Sequence, residues 1–433
     1  MSLRRNALWL VLLLVAIAVG GDWNRHLGFH GWWALPGALL LLGLAYESRY
    51  VSRCGLKFEV DLPAQLYLGR RASLGLLFTH RLERRSVAFE FALTAPEFVD
   101  IETDVVRVDI ESRSICRVER IAAAGRLGEF TWPPLPGRVA GPLGLAWWSK
   151  TLRCEQKVKV VPDLLRSMAE VKSMAAIGES PAALSGGGAE VLRLREYRAG
   201  DPPRLVDWKA TARAGRLISR DFSQDRGLQI VLVVDAGRSS QLRAGTLDRF
   251  GHYVNVAARL AQFAADREDL VGLVVYADRP LAAVAPARGS AAVSRLRAIL
   301  GATRIERTES NPVYAVTRVK SLVRHRSLII VLTDFDDASA HSQLAQAVRF
   351  LLPKHLPFVA GLSSAAAEAM SHAAPQNWLD PYRALAAQEY CSGLERKVRA
   401  LNAMGAPALA ARPEQLEGAV FAAYERFSRQ RRA

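Results

Sequence analysis

Ile230–Ser240 reads I-V-L-V-V-D-A-G-R-S-S, and shortly before it Arg195–Phe222 reads R-E-Y-R-A-G-D-P-P-R-L-V-D-W-K-A-T-A-R-A-G-R-L-I-S-R-D-F. The first stretch decides the fold. With Leu228 and Gln229 it is a near-continuous apolar run ending in Asp235 and a loop of small residues, the pattern of a parallel strand buried on both faces. The second stretch surrounds a Gly200-Asp201-Pro202-Pro203 turn with opposite charges and aromatic rings. Proline presets its own backbone angle there, and an Asp side chain bonds nearby amides.

Downstream of Asp235 the periodicity alternates. Helical spacing runs over Leu247–Arg267 through Phe250, Val254, Ala257, Leu260, Ala261 and Ala264. Strands are expected at Leu270–Tyr276, Leu281–Ala285, Ser327–Thr333 and Phe358–Leu362, with a last strand in A-P-A-L-A-A. Helices are expected at Ala291–Leu300, Val313–Val323, His341–Leu351, Pro381–Ala403 and Pro413–Arg429. Alternating strands and helices imply a mostly parallel sheet covered on both faces, an α/β domain over residues 226–433. Ligands bind such sheets at the C-terminal ends of the strands. Two strands end there in aspartate, V-L-V-V-D ending at Asp235 and I-V-L-T-D ending at Asp334.

Upstream of the signature, residues 49–165 hold short runs rich in Val, Ile and Phe with period-two character. Examples are K-F-E-V-D-L from Lys57, V-A-F-E-F-A-L from Val87 and V-V-R-V-D-I from Val105. Turn residues separate them about every 10 residues, the signature of an all-β immunoglobulin-like sandwich. The Trp147–Trp148 pair is read either as a recognition surface or as residues in the core or between domains. Residues 166–225 are the linker and signature segment. The linker ends in L-S-G-G-G, which no strand precedes and no Gly-Lys-Ser/Thr follows, so it is not a phosphate loop.

The first 48 residues carry two apolar blocks, Ala7–Gly21 and Gly31–Tyr46. Extended to Asn6–Trp23 and Leu27–Tyr46, they approach the roughly 20 residues of a spanning helix. A cleaved signal peptide is the alternative, but no A-x-A site follows the first block and a second block comes almost at once. The expectation is an N-terminal transmembrane helical hairpin. Arg4 and Arg5 precede it and Arg49, Arg53 and Lys57 follow it, which places the bulk of the chain on the cytoplasmic side of the inner membrane. Anionic lipid is then a partner for part of the net charge of +16.

That charge also raises nucleic-acid binding as an alternative function. Against it, the arginines are spread over every segment and no specific nucleic-acid motif occurs, so no specific nucleic acid is expected. The 8 histidines are scattered, with no H-E-x-x-H and no G-x-S-x-G, so no catalytic residue is assigned. A metal-dependent phosphoester hydrolase is the enzymatic alternative, although a two-metal set is not visible. The four cysteines are widely spaced and read as free thiols.

The long signature, with Pro142-Leu143-Gly144-Leu145 and the Val158–Asp163 run V-K-V-V-P-D, resembles the domain of unknown function 58 family. The resemblance implies a von Willebrand factor A-like α/β domain, no assigned reaction, and association with MoxR-type AAA+ ATPases. It also implies a divalent-cation site built from D-x-S-x-S, a later hydroxyl and the Asp of a T-D motif. Asp235, Ser239 and Asp334 match that pattern, Ser310 (or Thr308) would be the later hydroxyl, and Gly237 stands where a serine is expected. Oxygen ligands of this kind suit Mg²⁺. Two ways of making good the lost hydroxyl stay open: Asp336 or Asp337 as an extra ligand, or Arg238 filling the site with its own charge. Around the Gly-Asp-Pro-Pro turn, Arg195, Tyr197, Asp201, Arg204, Asp207, Trp208 and Arg213 are expected to form either a partner-binding groove or a structural clasp of carboxylate–guanidinium pairs. The function expected overall is a membrane-anchored adaptor.

Overall fold

The computed structural model describes residues 2–23, 34–63, 65–82, 86–96, 98–102, 104–112, 114–163, 191–198, 201, 203–222, 227–335 and 338–432. They divide into two compact units, Met1–Val161 and Pro162–Ala433.

The first unit opens with helices α1 (Arg5–Trp23) and α2 (Ala34–Arg53). Its strands form a four-stranded sheet ordered Lys57–Asp61, Arg71–Thr79, Cys116–Ala124, Val99–Ile101. A second sheet is ordered Ser2–Leu3, Ala146–Leu152, Leu135–Ala140, Val87–Ala92, Val105–Ile110. Alternation sets which face is buried: in Lys57–Asp61 only Phe58 and Val60 point inward. Phe58 and Phe78 of one sheet meet Phe89 and Phe91 of the other, with Phe78 and Phe91 ring centroids 4.9 Å apart. The two sheets share one aromatic core.

The transmembrane hairpin expected of the N-terminus is overturned. Among the described residues no helix is long and apolar enough to cross a membrane. In α1 the charge-free run Asn6–Gly21 spans about 24 Å, against a hydrocarbon core of about 30 Å. In α2 the charge-free run Ala34–Tyr46 spans only about 20 Å. Beyond it, Glu47 is fully buried against the sandwich, where its carboxylate accepts hydrogen bonds from the backbone N–H groups of Leu143, Leu145 and Ala146, each at 3.0 Å. The Trp148 indole donates a fourth bond at 3.3 Å. Glu47 and Val51 of the C-terminal half of α2 are therefore part of the protein core. The multi-pass inner-membrane placement rested on those two spans and falls with them.

The second unit begins with an antiparallel hairpin, Val191–Glu196 against Ile218–Phe222, enclosing the short helix α3 (Trp208–Ala214). Then follow β1 (Gln229–Asp235), α4 (Arg249–Ala265), β2 (Leu270–Tyr276), β3 (Pro280–Ala287), α5 (Gly289–Ala302), α6 (Pro312–Leu322) and β4 (Leu328–Leu332). The chain ends with α7 (Ala338–Leu351), β5 (Leu356–Leu362), α8 (Ala365–His372), α9 (Asp380–Ala403), β6 (Ala408–Ala411) and α10 (Pro413–Arg432). The sheet order is β3-β2-β1-β4-β5-β6. All neighbours are parallel except β2 and β3, which are joined by a short turn.

The apolar run of β1 sits at the centre, with Ile230–Val234 at most 1% exposed. Burial on both faces is what such a run requires. Helix α4 starts at Arg249 rather than Leu247, because Asp248 adopts extended backbone and caps the helix by accepting from Gly251 N at 2.7 Å. Helix α8 had no counterpart in the sequence reading: its Ala-rich eight residues bury no side chain and so carry no apolar period.

Candidate functional site

Strand order reverses beside β1, since β2 lies on one side of it and β4 on the other. That reversal is the usual ligand position in open α/β sheets. Asp235 closes β1, and Thr333-Asp334 follows β4 directly. A third segment is pinned beside them. Arg238 N donates to the Thr308 carbonyl and Glu306 N to the Ala236 carbonyl, both at 2.8 Å.

Asp235 is 1% exposed. Its Oδ1 accepts from Gly237 N at 2.9 Å and from the Ser310 hydroxyl. Its Oδ2 accepts from the Thr333 hydroxyl at 2.6 Å and the Tyr276 hydroxyl at 3.3 Å. The single Tyr276 proton is shared between Asp235 Oδ2 and Thr333 Oγ1, the latter at 3.1 Å, and Tyr253 donates to the Thr333 carbonyl at 3.0 Å. Burial pushes the Asp235 carboxyl above its ordinary range, and the bonds from Ser310, Thr333, Gly237 and Tyr276 oppose that rise. Burial likewise raises the Tyr276 phenol, helped by the adjacent Asp235 charge, so Tyr276 stays a donor.

Asp334 is 6% exposed and forms an ion pair with Arg249, itself 6% exposed. Ser239 lies on the 3-10 turn Arg238–Gln241, and it is the neighbouring Ser240 whose hydroxyl donates to the Asp235 carbonyl at 3.0 Å. Arg238 meets Glu309 at the surface, at 3.3 Å. Asp336 and Asp337 lie outside the described residues.

These residues do not fit a divalent cation. Each lobe of the Asp235 carboxylate is already filled by protein donors, about the full capacity of the group. The Asp334 charge is compensated by Arg249. A Cβ at Gly237 would lie 2.1 Å from Ser310 Oγ, so the Ser310 hydroxyl holds the space a serine at 237 would need. Among the described residues no group of three or more His, Cys, Asp or Glu is placed to hold a metal ion.

The signature turn folds into a local unit. Arg195 grips both oxygens of Asp201, Nη1 to Oδ2 at 2.7 Å and Nη2 to Oδ1 at 2.8 Å, a planar fork on a planar acceptor. Arg198 N adds a bond to Asp201 Oδ2 at 2.9 Å, and Tyr197 donates to the Asp201 carbonyl at 2.9 Å. The Arg195 bond, then the Arg198 amide, hold the Asp201 carboxyl down to about 2. Asp207, Trp208 and Arg213 do something else. Asp207 caps α3 by accepting from Ala210 N at 3.0 Å, Arg213 is exposed in the last turn, and Trp208 is 68% exposed. Arg204 falls on the 3-10 turn Pro203–Leu205. Gly200 and Pro202 lie outside the described residues.

The sequence reading missed Arg249, Tyr276, Thr333 and Tyr253. Thr333 alone had a signal, as the residue before Asp334 at a strand end. Arg249 had none, because nothing local marks a helix-start arginine as the partner of a distant carboxylate.

Fold and site together define a doubly wound α/β domain with a closed acidic cluster at its topological switch point. Residues 193–358 match the family described as Protein of unknown function DUF58, from the signature hairpin into β5, and that match supports membership of the DUF58 family. No curated protein matches the chain. Among solved structures, α-2-macroglobulin from Salmonella reacted with methylamine is 17% identical, over 24% of this chain and 7% of that one, with a TM-score of 0.19. Escherichia coli α-2-macroglobulin activated by porcine elastase is 17% identical over 24% and 9%, also at 0.19. A protein of unknown function from Porphyromonas gingivalis W83 is 13% identical over 27% and 51%, at 0.19. The chain thus spans less than a tenth of the two macroglobulins, and at these scores the likenesses carry no argument.

Proposed function

We propose that the α/β unit is a von Willebrand factor A-like protein-binding module, and that the chain is an adaptor whose partner is a MoxR-type AAA+ ATPase. The observation that carries this is the convergence, at the C-terminal ends of the central strands β1 and β4, of the turn after Asp235, Thr333-Asp334 and the Thr308–Ser310 segment. Binding residues concentrate on loops carried by a buried sheet, and two of these three segments expose side chains, Arg238 and Glu309. The strand order with a single antiparallel edge strand supports the von Willebrand reading, and the signature resemblance supports the partner. Among the described residues no arrangement of nucleophile and base stands in the cluster, and Asp235 and Asp334 are committed to protein partners, which favours binding over hydrolysis.

The test is direct binding of the full chain to a purified MoxR-type ATPase by calorimetry. Arg238 and Glu309 have side chains 64% and 63% exposed at this end of the sheet. The substitution Arg238→Glu is expected to weaken binding about tenfold, or 1.4 kcal/mol. It should leave the thermal midpoint unchanged, because an exposed pair contributes only about 0–1 kcal/mol. Absence of binding by the unmodified chain, or unchanged affinity in the variant, rejects the proposal.

A further inference from the structure

We infer that Arg249 supplies from inside the fold the positive charge that a divalent cation would bring to these strand ends, so that recognition here is independent of Mg²⁺. The inference rests on the binding-module reading above and specifies how that site is held together.

The position of Arg249 is the first argument. It is the first residue of α4, directly after the N-cap Asp248, whose side chain is engaged with Gly251 N. A helix start carries a partial positive charge and favours anions, so a buried arginine there is unfavourable in isolation. Its placement is explained by Asp334, whose carboxylate it meets in a setting that excludes water. Removing a guanidinium from water is costly unless a carboxylate receives it. Here both groups are buried together, and the pair leaves no net charge for a cation to neutralise.

The second argument is the state of Asp235. A cation needs carboxylate lone pairs, and Ser310, Thr333, Tyr276 and Gly237 N already occupy both oxygens. The third is Gly237. Loss of the serine expected there is matched by the Ser310 hydroxyl, which sits where its side chain would be. Missing hydroxyl, saturated aspartate and internal arginine are three changes with one meaning: the loops are tied to one another by the protein's own groups. An arginine cannot dissociate, so this site is held in one state rather than switched by cation concentration.

The experiment uses the full chain after treatment with a chelator, titrated with Mn²⁺ by calorimetry and with thermal midpoints read in Mg²⁺ and in chelator. The expected result is no saturable Mn²⁺ binding tighter than about 1 mM, the weak end of protein cation sites, and equal midpoints in the two buffers. A stoichiometric Mn²⁺ site that disappears in Asp235→Asn overturns the inference. In Arg249→Met the Asp334 carboxylate loses the Arg249 ion pair, and the thermal midpoint is expected to rise on adding Mn²⁺ where the unmodified chain does not respond. A folded Arg249→Met protein with no Mn²⁺ response overturns the role given to Arg249; if the variant does not fold, the titration of the unmodified chain decides. The ATPase binding measurement is scored separately: its failure removes the adaptor reading without touching the metal result.

Discussion

Replacing Glu47 by glutamine exchanges one carboxylate oxygen for an NH₂ group and tests how the first unit is held together. The Glu47 carboxylate accepts four bonds, Leu143 N and Leu145 N at Oε1, and Ala146 N and Trp148 Nε1 at Oε2. A glutamine amide keeps one acceptor oxygen and turns the other into a donor. Whichever way it is oriented, two N–H groups face an NH₂ and lose their partner. A buried donor left unsatisfied costs about 1–3 kcal/mol, so the pair costs about 2–6 kcal/mol. The Trp148 bond is the longest and its ring is half-buried, which places the expected loss near 3 kcal/mol.

Urea unfolding of the full chain, followed through tryptophan emission, reads this directly, since Trp148 is itself bonded to the site. The midpoint should fall by about 1–3 M, from m-values of about 1–3 kcal/mol per molar. Gly141→Ala provides an independent perturbation, because a Cβ there would lie 2.0 Å from Glu47 Cδ and displace the carboxylate. The two substitutions strike one contact, so the double variant should lose less than the sum of the singles. A Glu47→Gln midpoint within about 0.5 kcal/mol of the unmodified chain would refute the assignment of Glu47 as the carboxylate that ties α2 to the sandwich.

Two further outcomes follow from the signature. Asp207→Ala removes the α3 cap and should destabilise the second unit by about 1 kcal/mol, read as a lower unfolding midpoint, with Asp207→Ser recovering most of it. Asp201 has its carboxyl held down to about 2, against about 3.9 in an unfolded chain. A depressed acid stabilises the fold above its unfolded value and loses that contribution as pH falls through the folded value. The midpoint gap between the unmodified chain and Asp201→Asn should therefore be full above about pH 4 and shrink toward pH 2, whereas a constant gap across that range contradicts the Arg195–Asp201 fork.

Much of the second unit was written locally. The Leu228–Asp235 run could be read as a doubly buried strand because burial on both faces demands uninterrupted apolar residues, and Asp235 and Asp334 stood out as polar groups at strand ends. The Arg195–Asp201 pair was legible for the same reason: its partners are six residues apart around a proline turn. Hydrophobicity was a poor guide to the N-terminus. An apolar run records that a segment avoids water, not what covers it, and only the tertiary structure showed Glu47 of α2 seated among the amides of Leu143, Leu145 and Ala146. The Pro142-Leu143-Gly144-Leu145 stretch stood out in the sequence, while its work as a carboxylate receptor did not.

The acidic cluster divides along the same line. Residue types and spacing determined which side chains could meet at the switch point. Whether a cation or the protein's own groups would satisfy them was decided by a contact between Arg249 at the start of a helix and Asp334 after a strand. Such a pairing depends on how helix α4 docks on the sheet, a packing outcome that no local pattern in the chain encodes.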